Sequence, residues 1–170
     1  ERSLRYGKTE KYVEEITTIL SDGSEVTFGE LTESQLEEKK KLQTLEGEIY
    51  RKTSKLIFDS KDILENARPR VSKNSAGYAL WNVWNEEKRA FNLAKLITGA
   101  QGTLGLMTKA RISLVPPKEH RSMLIIFLKD LKVLPEIVKR VLVFNPESFE
   151  SYDDHTFNLA LRFFSLMISE

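Results

Sequence analysis

The sequence predicts an α+β fold. An antiparallel sheet with helices is expected over residues 1–117, followed over 118–170 by the start of an α/β segment. Three observations predict this. Val26 and Phe28 alternate with polar neighbours behind a Ser21-Asp22-Gly23-Ser24 turn, the signature of a hairpin. Apolar residues recur at helical spacing between Leu31 and Ala67. From Leu106 onward the alternation is clean, with Leu106, Thr108, Ala110, Ile112 and Leu114 on one side and Lys109, Arg111 and Ser113 on the other. That pattern predicts a half-buried strand, ended by Pro116-Pro117.

The first hairpin competes with a helix, because Tyr12, Ile16 and Leu20 recur every four residues. The β-branched run Thr17-Thr18-Ile19 and the Asp-Gly turn favour strands. A helical insert is expected at about 32–67. Thr32 and Gln35 form a capping box, and Leu31 and Leu36 stand where a hydrophobic staple would. The charge run Glu37–Lys41 reads as a solvated helix face with a Glu37–Lys41 pair. Gly47 is expected to break or bend the helix. Ile49, Tyr50, Thr53, Leu56 and Ile57 carry a second apolar stripe. Ser60 is expected to cap a short helix that ends before Arg68-Pro69.

Residues 70–90 read as a loop in which Tyr78, Trp81 and Trp84 cover a core or wall a binding site. A short helix is expected from Asn92 to Thr98, with Gly99 at its C′ position. Beyond the prolines, Met123–Leu128 and Phe149–Tyr152 read as strands, and Pro135–Phe144 as a helix. Asp153 is expected to cap a last helix that is apolar on two faces. Such a helix wants burial on several sides, and the chain opens at Glu1 without methionine. Both features lead to the expectation of a segment cut from a longer protein.

Composition excludes several function classes. Of 170 residues, 41% are hydrophobic and 30% charged, which suits a folded rather than a disordered chain. A net charge of +1 argues against a nucleic-acid partner. Without cysteine, this segment offers no disulfide, thiolate nucleophile or iron–sulfur ligand. His120 and His155 are too few for a multi-histidine metal site, and no metal ligand set is assigned. No apolar run has the length of a membrane span, and no signal peptide is visible.

The run from Gly99 to Thr108 suggests close backbone approach to a ligand. It passes from helix through glycines to strand, the reverse of a dinucleotide-binding fingerprint, and no Lys-Ser or Lys-Thr completes a P-loop. His155 beside Asp153 and Asp154 reads as a polar first-turn residue, and no catalytic residue is assigned.

Several segments occur in a telling order. They are Arg5-Tyr6-Gly7-Lys8-Thr9-Glu10, the strand from Ile16 with its Asp-Gly turn, Asn74-Ser75-Ala76-Gly77-Tyr78-Ala79-Leu80, and Asn92 through Gly105 with its Gly-Thr-Leu-Gly core. Together they resemble the FAD-linked oxidases with a PCMH-type flavin domain, the D-lactate dehydrogenase and glycolate oxidase flavoprotein group. The insert is most similar to that of large bacterial members that fuse flavin and iron–sulfur parts. The resemblance spans residues 4–117. It implies the second subdomain of the FAD-binding domain, followed by the start of a substrate (cap) domain.

The implied activity is oxidation of a small, D-lactate-like 2-hydroxy acid by hydride transfer to flavin. The intact protein would pass electrons to a downstream acceptor, with any iron–sulfur cluster elsewhere in the parent chain. The isolated segment would be inactive. The resemblance also implies that Gln101, Gly102, Thr103, Leu104, Gly105, Leu106 and Met107 lie against FAD through backbone groups, with Arg5-Tyr6-Gly7 at the site's edge. Ala100-Gln101 and Lys109 depart from the family's usual Ser-Glu and Glu, so side-chain contacts there are not carried over. A bacterial location is implied, cytoplasmic or peripheral to the inner face of the membrane. The alternatives are a flavin-free binding or regulatory module that keeps the fold, and a helical interaction domain built on residues 32–67 and the last helix.

Overall fold

The computed structural model describes residues 3–71 and 74–168. Ser72 and Lys73, in the expected 70–90 loop, lie outside the described residues, as does Glu1. The chain forms two compact units, one of residues 8–120 and one of residues 1–7 with 121–170.

In chain order the regular elements are α1 (Ser3–Tyr6), β1 (Val13–Ile19), β2 (Glu25–Thr32), α2 (Glu33–Lys41), α3 (Leu45–Asp59), α4 (Lys61–Ala67), β3 (Trp84–Asn85), β4 (Ala90–Asn92), α5 (Ala94–Ile97), β5 (Leu106–Ile112), α6 (Leu134–Leu142) and α7 (Asp154–Ile168). The larger unit is built on a five-stranded sheet of order β3-β4-β2-β1-β5, and every neighbouring pair is antiparallel. That sheet rules out the helical interaction domain.

β1 and β2 are the predicted hairpin, with Ile16 opposite Phe28 and Thr18 opposite Val26. These four residues are buried, while the Thr17–Thr27 pair on the other face shares a hydroxyl hydrogen bond at 2.9 Å. Period-two burial of this kind fixes the register, because a one-residue slip would turn the apolar set to solvent. The turn is held by Asp22, whose Oδ1 accepts from the Ser24 amide at 3.0 Å and its hydroxyl at 2.6 Å.

The entry to α2 is the predicted capping box. Gln35 Oε1 accepts the Thr32 N–H at 2.8 Å, and Thr32 Oγ1 accepts the Gln35 N–H at 3.4 Å. Leu36 is buried, and Leu31 packs against the same cluster. The charged face of α2 pairs as Glu37–Lys40 and Glu38–Lys41, not as the expected Glu37–Lys41.

Gly47 does not break a helix. It lies in the first turn of α3, where an added Cβ would stand 2.1 Å from the Leu42 carbonyl oxygen. The break falls just before, at Leu42–Thr44. There the Arg51 guanidinium donates to the carbonyls of Lys40 and Leu42 at 2.5 and 2.7 Å, satisfying the end of α2. Ser60 precedes α4 as expected but makes no side-chain cap bond.

Tyr50 and Ile57 of α3 face the sheet, and an aromatic row Phe28–Tyr50–Phe91–Phe58–Trp84 runs beneath it. Trp84 thus packs against the core. The segment expected to be a loop supplies β3 and the first residue of β4, and β4 runs on to Asn92, so that the short helix expected from Asn92 to Thr98 is α5, Ala94–Ile97. Two and three residues are too short to show alternation, and β4 is buried along its whole length.

β5 forms where the alternation placed it, but it is not half-buried. All seven residues are exposed, since the helices cover β1, β2 and β4 and leave this edge bare. Thr108 is a bulge, because Thr17 pairs with Lys109 while the next residue, Thr18, pairs with Met107. The bulge turns Met107 to the inner face and Leu106 to the outer one, reversing the expected assignment at that end.

In the smaller unit, α6 carries Pro135 in its first turn, and Asp153 Oδ1 caps α7 by accepting the Thr156 N–H at 2.7 Å. The strands expected at 123–128 and 149–152 are not formed. A strand needs a neighbour to pair its backbone, and the described residues of this unit are otherwise helices and turns, so the expected α/β opening is absent. The apolar run Met123–Phe127 is exposed. α7 keeps its all-round apolar surface, with Phe157, Leu159, Leu161, Phe163 and Phe164 exposed. Side chains from residue 165 onward lie outside the described residues.

Candidate functional site

The glycine turn is built from α5 outward. Asn92 Oδ1 caps the Ala94 N–H at 2.9 Å in a buried setting, and the Thr98 hydroxyl donates back to the Ala94 carbonyl at 2.6 Å. Gly99 does not take the left-handed conformation expected of a C′ glycine. Reversal comes later, where Gln101 and Gly102 have φ of 51° and 79°. Both central residues are left-handed, as in the mirror-image turns that feed right-twisted strands. The Thr103 N–H donates to the Ala100 carbonyl at 3.0 Å, and its hydroxyl to the same oxygen at 2.5 Å. The Tyr78 hydroxyl bonds Thr103 Oγ1 and ties the turn to the Gly77-Tyr78 segment.

Gly105 anchors the turn to the sheet. Its φ is 146°, and an added Cβ would stand 2.5 Å from Thr18 Cγ2 and 2.8 Å from the Ile19 carbonyl oxygen. Gln101, Gly102, Thr103 and Leu104 are exposed, and Leu106 and Met107 follow as exposed apolar residues on β5. Among the described residues the N–H groups of Gln101, Gly102 and Leu104 have no hydrogen-bond partner. The segment therefore displays unpaired backbone donors beside the exposed Leu104 side chain, with Leu106 and Met107 on opposite faces of the strand that follows. A planar heterocycle with polar edges fits that combination, and so the residues present fit a flavin. Arg5, Tyr6 and Gly7 belong to the other unit, where the Tyr6 hydroxyl donates to Glu147 Oε1 at 3.0 Å.

On the outer face of the same edge, Arg111 bridges Glu14 and Glu15 at 2.8 Å each. The Ser113 hydroxyl donates to Glu14 Oε1 at 2.5 Å, and this bond, followed by the Arg111 charge, holds the Glu14 carboxyl below the usual glutamate range. Asp153 is likewise held low, by its cap bonds to Thr156. It acts as a helix cap, and His155 gains no catalytic partner from it. Among the described residues no group of three histidine or acidic side chains could hold a metal.

Sequence reasoning missed a basic pocket of about 310 Å³ lined by Lys8, Glu10, Lys11, Asn82 and Lys95. Lys8 and Lys11 are three residues apart in sequence, but Asn82 and Lys95 arrive from distant elements, and no local pattern joins them.

Relatives among characterised proteins bear on this geometry. A protein of Haemophilus influenzae is 31% identical over 93% of this chain. One of Pantoea ananatis is 28% identical over 93%, and one of Escherichia coli 30% identical over 70%. All carry one name. The chain is similar to D-2-hydroxyglutarate dehydrogenases. It spans 16% of the Haemophilus and Pantoea D-2-hydroxyglutarate dehydrogenases and 12% of the Escherichia one. The similarity to the Haemophilus and Pantoea proteins covers both units. No family model and no solved structure matches the chain.

Proposed function

We propose that this chain is part of an FAD-linked dehydrogenase of small 2-hydroxy acids, and that residues 101–107 form one wall of its flavin site. The dehydrogenase relatives favour this over a flavin-free module. Their shared name favours D-2-hydroxyglutarate as the substrate over D-lactate. The observation that carries the flavin wall is the exposed turn, with unpaired N–H groups at Gln101, Gly102 and Leu104 beside the apolar Leu104 side chain.

Bound FAD would supply the two-electron acceptor chemistry. The chain's own part is positioning. Backbone donors of the turn would meet polar edges of the ring, and the exposed Leu104 side chain beside them would exclude water. The Tyr78–Thr103 bond and the Gly105 contact with β1 hold the turn's shape. Contacts through the backbone tolerate Ala100-Gln101, where the resembled family carries Ser-Glu. With no cysteine in the chain, any iron–sulfur cluster in a longer protein would take its cysteine ligands elsewhere. No helix among the described residues is long and apolar enough to cross a membrane.

The test is to purify the full-length protein carrying this chain. Flavin absorbance is expected, together with reduction of that absorbance by D-2-hydroxyglutarate and not by D-lactate. Gln101→Ala should retain flavin, whereas Gly105→Val should lose it. A colourless protein that FAD cannot reconstitute would overturn the proposal.

A further inference from the structure

Several lysines of the larger unit are compensated. Lys39, Lys40, Lys41, Lys52, Lys55, Lys61 and Lys88 each pair with a carboxylate. Among the described residues Lys8 and Lys11 do not, and unlike the likewise unpaired Lys109 and Lys118 they share a pocket. Lys11 only lies 5.6 Å from the centroid of the Tyr12 ring. Both line the pocket of about 310 Å³ with Lys95, Glu10 and Asn82.

The pocket's other groups are held in place. The Lys95 ammonium donates to the Glu10 carbonyl, and to the Val13 carbonyl at 3.4 Å. An ammonium has three N–H donors, so one remains. The Glu10 carboxylate accepts the Asn82 amide at 2.8 Å, leaving that amide a second N–H. Three lysines thus line the pocket with one carboxylate that is already bound. A carboxylate ligand would neutralise half of the excess. A phosphate monoester, with a charge of about −1.5 to −2 at neutral pH, neutralises nearly all of it. Its oxygens also suit compact lysine charges approaching from several directions.

We propose that this pocket binds a phosphate group carried by a small molecule. The inference does not rest on the flavin reading. Two sources share the chemistry, namely the pyrophosphate of a dinucleotide and a free phosphorylated metabolite.

The test uses the 170-residue chain at low ionic strength, following backbone amide resonances as inorganic phosphate, pyrophosphate and FAD are added in turn. Saturable shifts centred on Lys8–Lys11, Asn82 and Lys95 are expected with phosphate and pyrophosphate. The double variant Lys8→Gln/Lys11→Gln should weaken them by about tenfold or more, as loss of charged hydrogen bonds implies. The control Lys52→Gln/Lys55→Gln should leave them unchanged. Unmoved core resonances in both variants report that each is folded. If FAD shifts the same amides at lower concentration than pyrophosphate, the phosphate belongs to the dinucleotide. If only phosphate and pyrophosphate act, it belongs to a free metabolite. Shifts that never saturate, or that the control variant weakens equally, overturn the proposal.

Discussion

Tyr50 is fully buried between Phe28 and Phe91, and its hydroxyl has no hydrogen-bond partner. An unpaired buried polar group costs about 1–3 kcal/mol. Tyr50→Phe keeps the ring and removes the cost, so it is expected to raise stability by about 1 kcal/mol. A higher urea midpoint at unchanged slope is the readout, and a lower midpoint would refute the expectation. Burial, then the Glu46 charge, pushes the Tyr50 phenol well above the ordinary tyrosine value. The unfolded chain therefore releases this proton first. The associated stability is intact below pH ~10, where a free tyrosine titrates, and is lost as pH rises beyond it. Tyr50→Phe should flatten that alkaline decline. Gly105 gives the opposite case. With φ at 146° and Thr18 Cγ2 2.5 Å from any added Cβ, Gly105→Ala should cost at least ~2 kcal/mol by the same denaturation assay. A neutral result would mean that the turn can move away from β1.

β5 illustrates what sequence reveals and what it conceals. Its existence was legible, because alternation over seven residues is local. So were the Thr32 capping box and the Asp22 turn, whose partners lie within three residues. The Thr108 bulge was not, since it depends on how β5 registers against β1, some ninety residues earlier. Gly47 was misread for a related reason, as a glycine serving close approach to Leu42 looks like one serving a break. The candidate turn was legible as a glycine-rich segment, but its Tyr78–Thr103 tie and the Lys8 pocket are long-range products of folding. β5 is pinned at its far end by Glu14, Glu15, Arg111 and Ser113. Because the Glu14 carboxyl is held below its ordinary value, its contribution is present above the usual glutamate pKa and lost as pH falls below it. Glu14→Gln should therefore reduce the loss of stability between pH ~4.5 and lower values, by a small amount since the group is exposed. Acid titration followed by circular dichroism measures this, and an identical acid limb in both proteins would refute it.

The two units differ in how they are held together. In residues 8–120, β1, β2 and α3 close over a continuous buried cluster from Val13 to Ala94. Among the described residues from 121 onward no side chain is buried, and α6 and α7 carry apolar faces in contact with solvent. Amides open with free energies that follow the burial around them. Helices of nine and fifteen residues are marginal in water without a packed face. Amide hydrogen exchange on the 170-residue chain should accordingly divide near residue 120. Amides of β1, β2 and α3 should exchange only through near-global unfolding, and so should slow in Tyr50→Phe. Amides of α6 and α7 should exchange at the earliest times and not respond to that substitution. The two behaviours need only local burial, whatever the chain's wider context. Comparable protection in both units would show that α6 and α7 bury their apolar faces in solution, and uniform slowing by Tyr50→Phe would show that the units unfold as one.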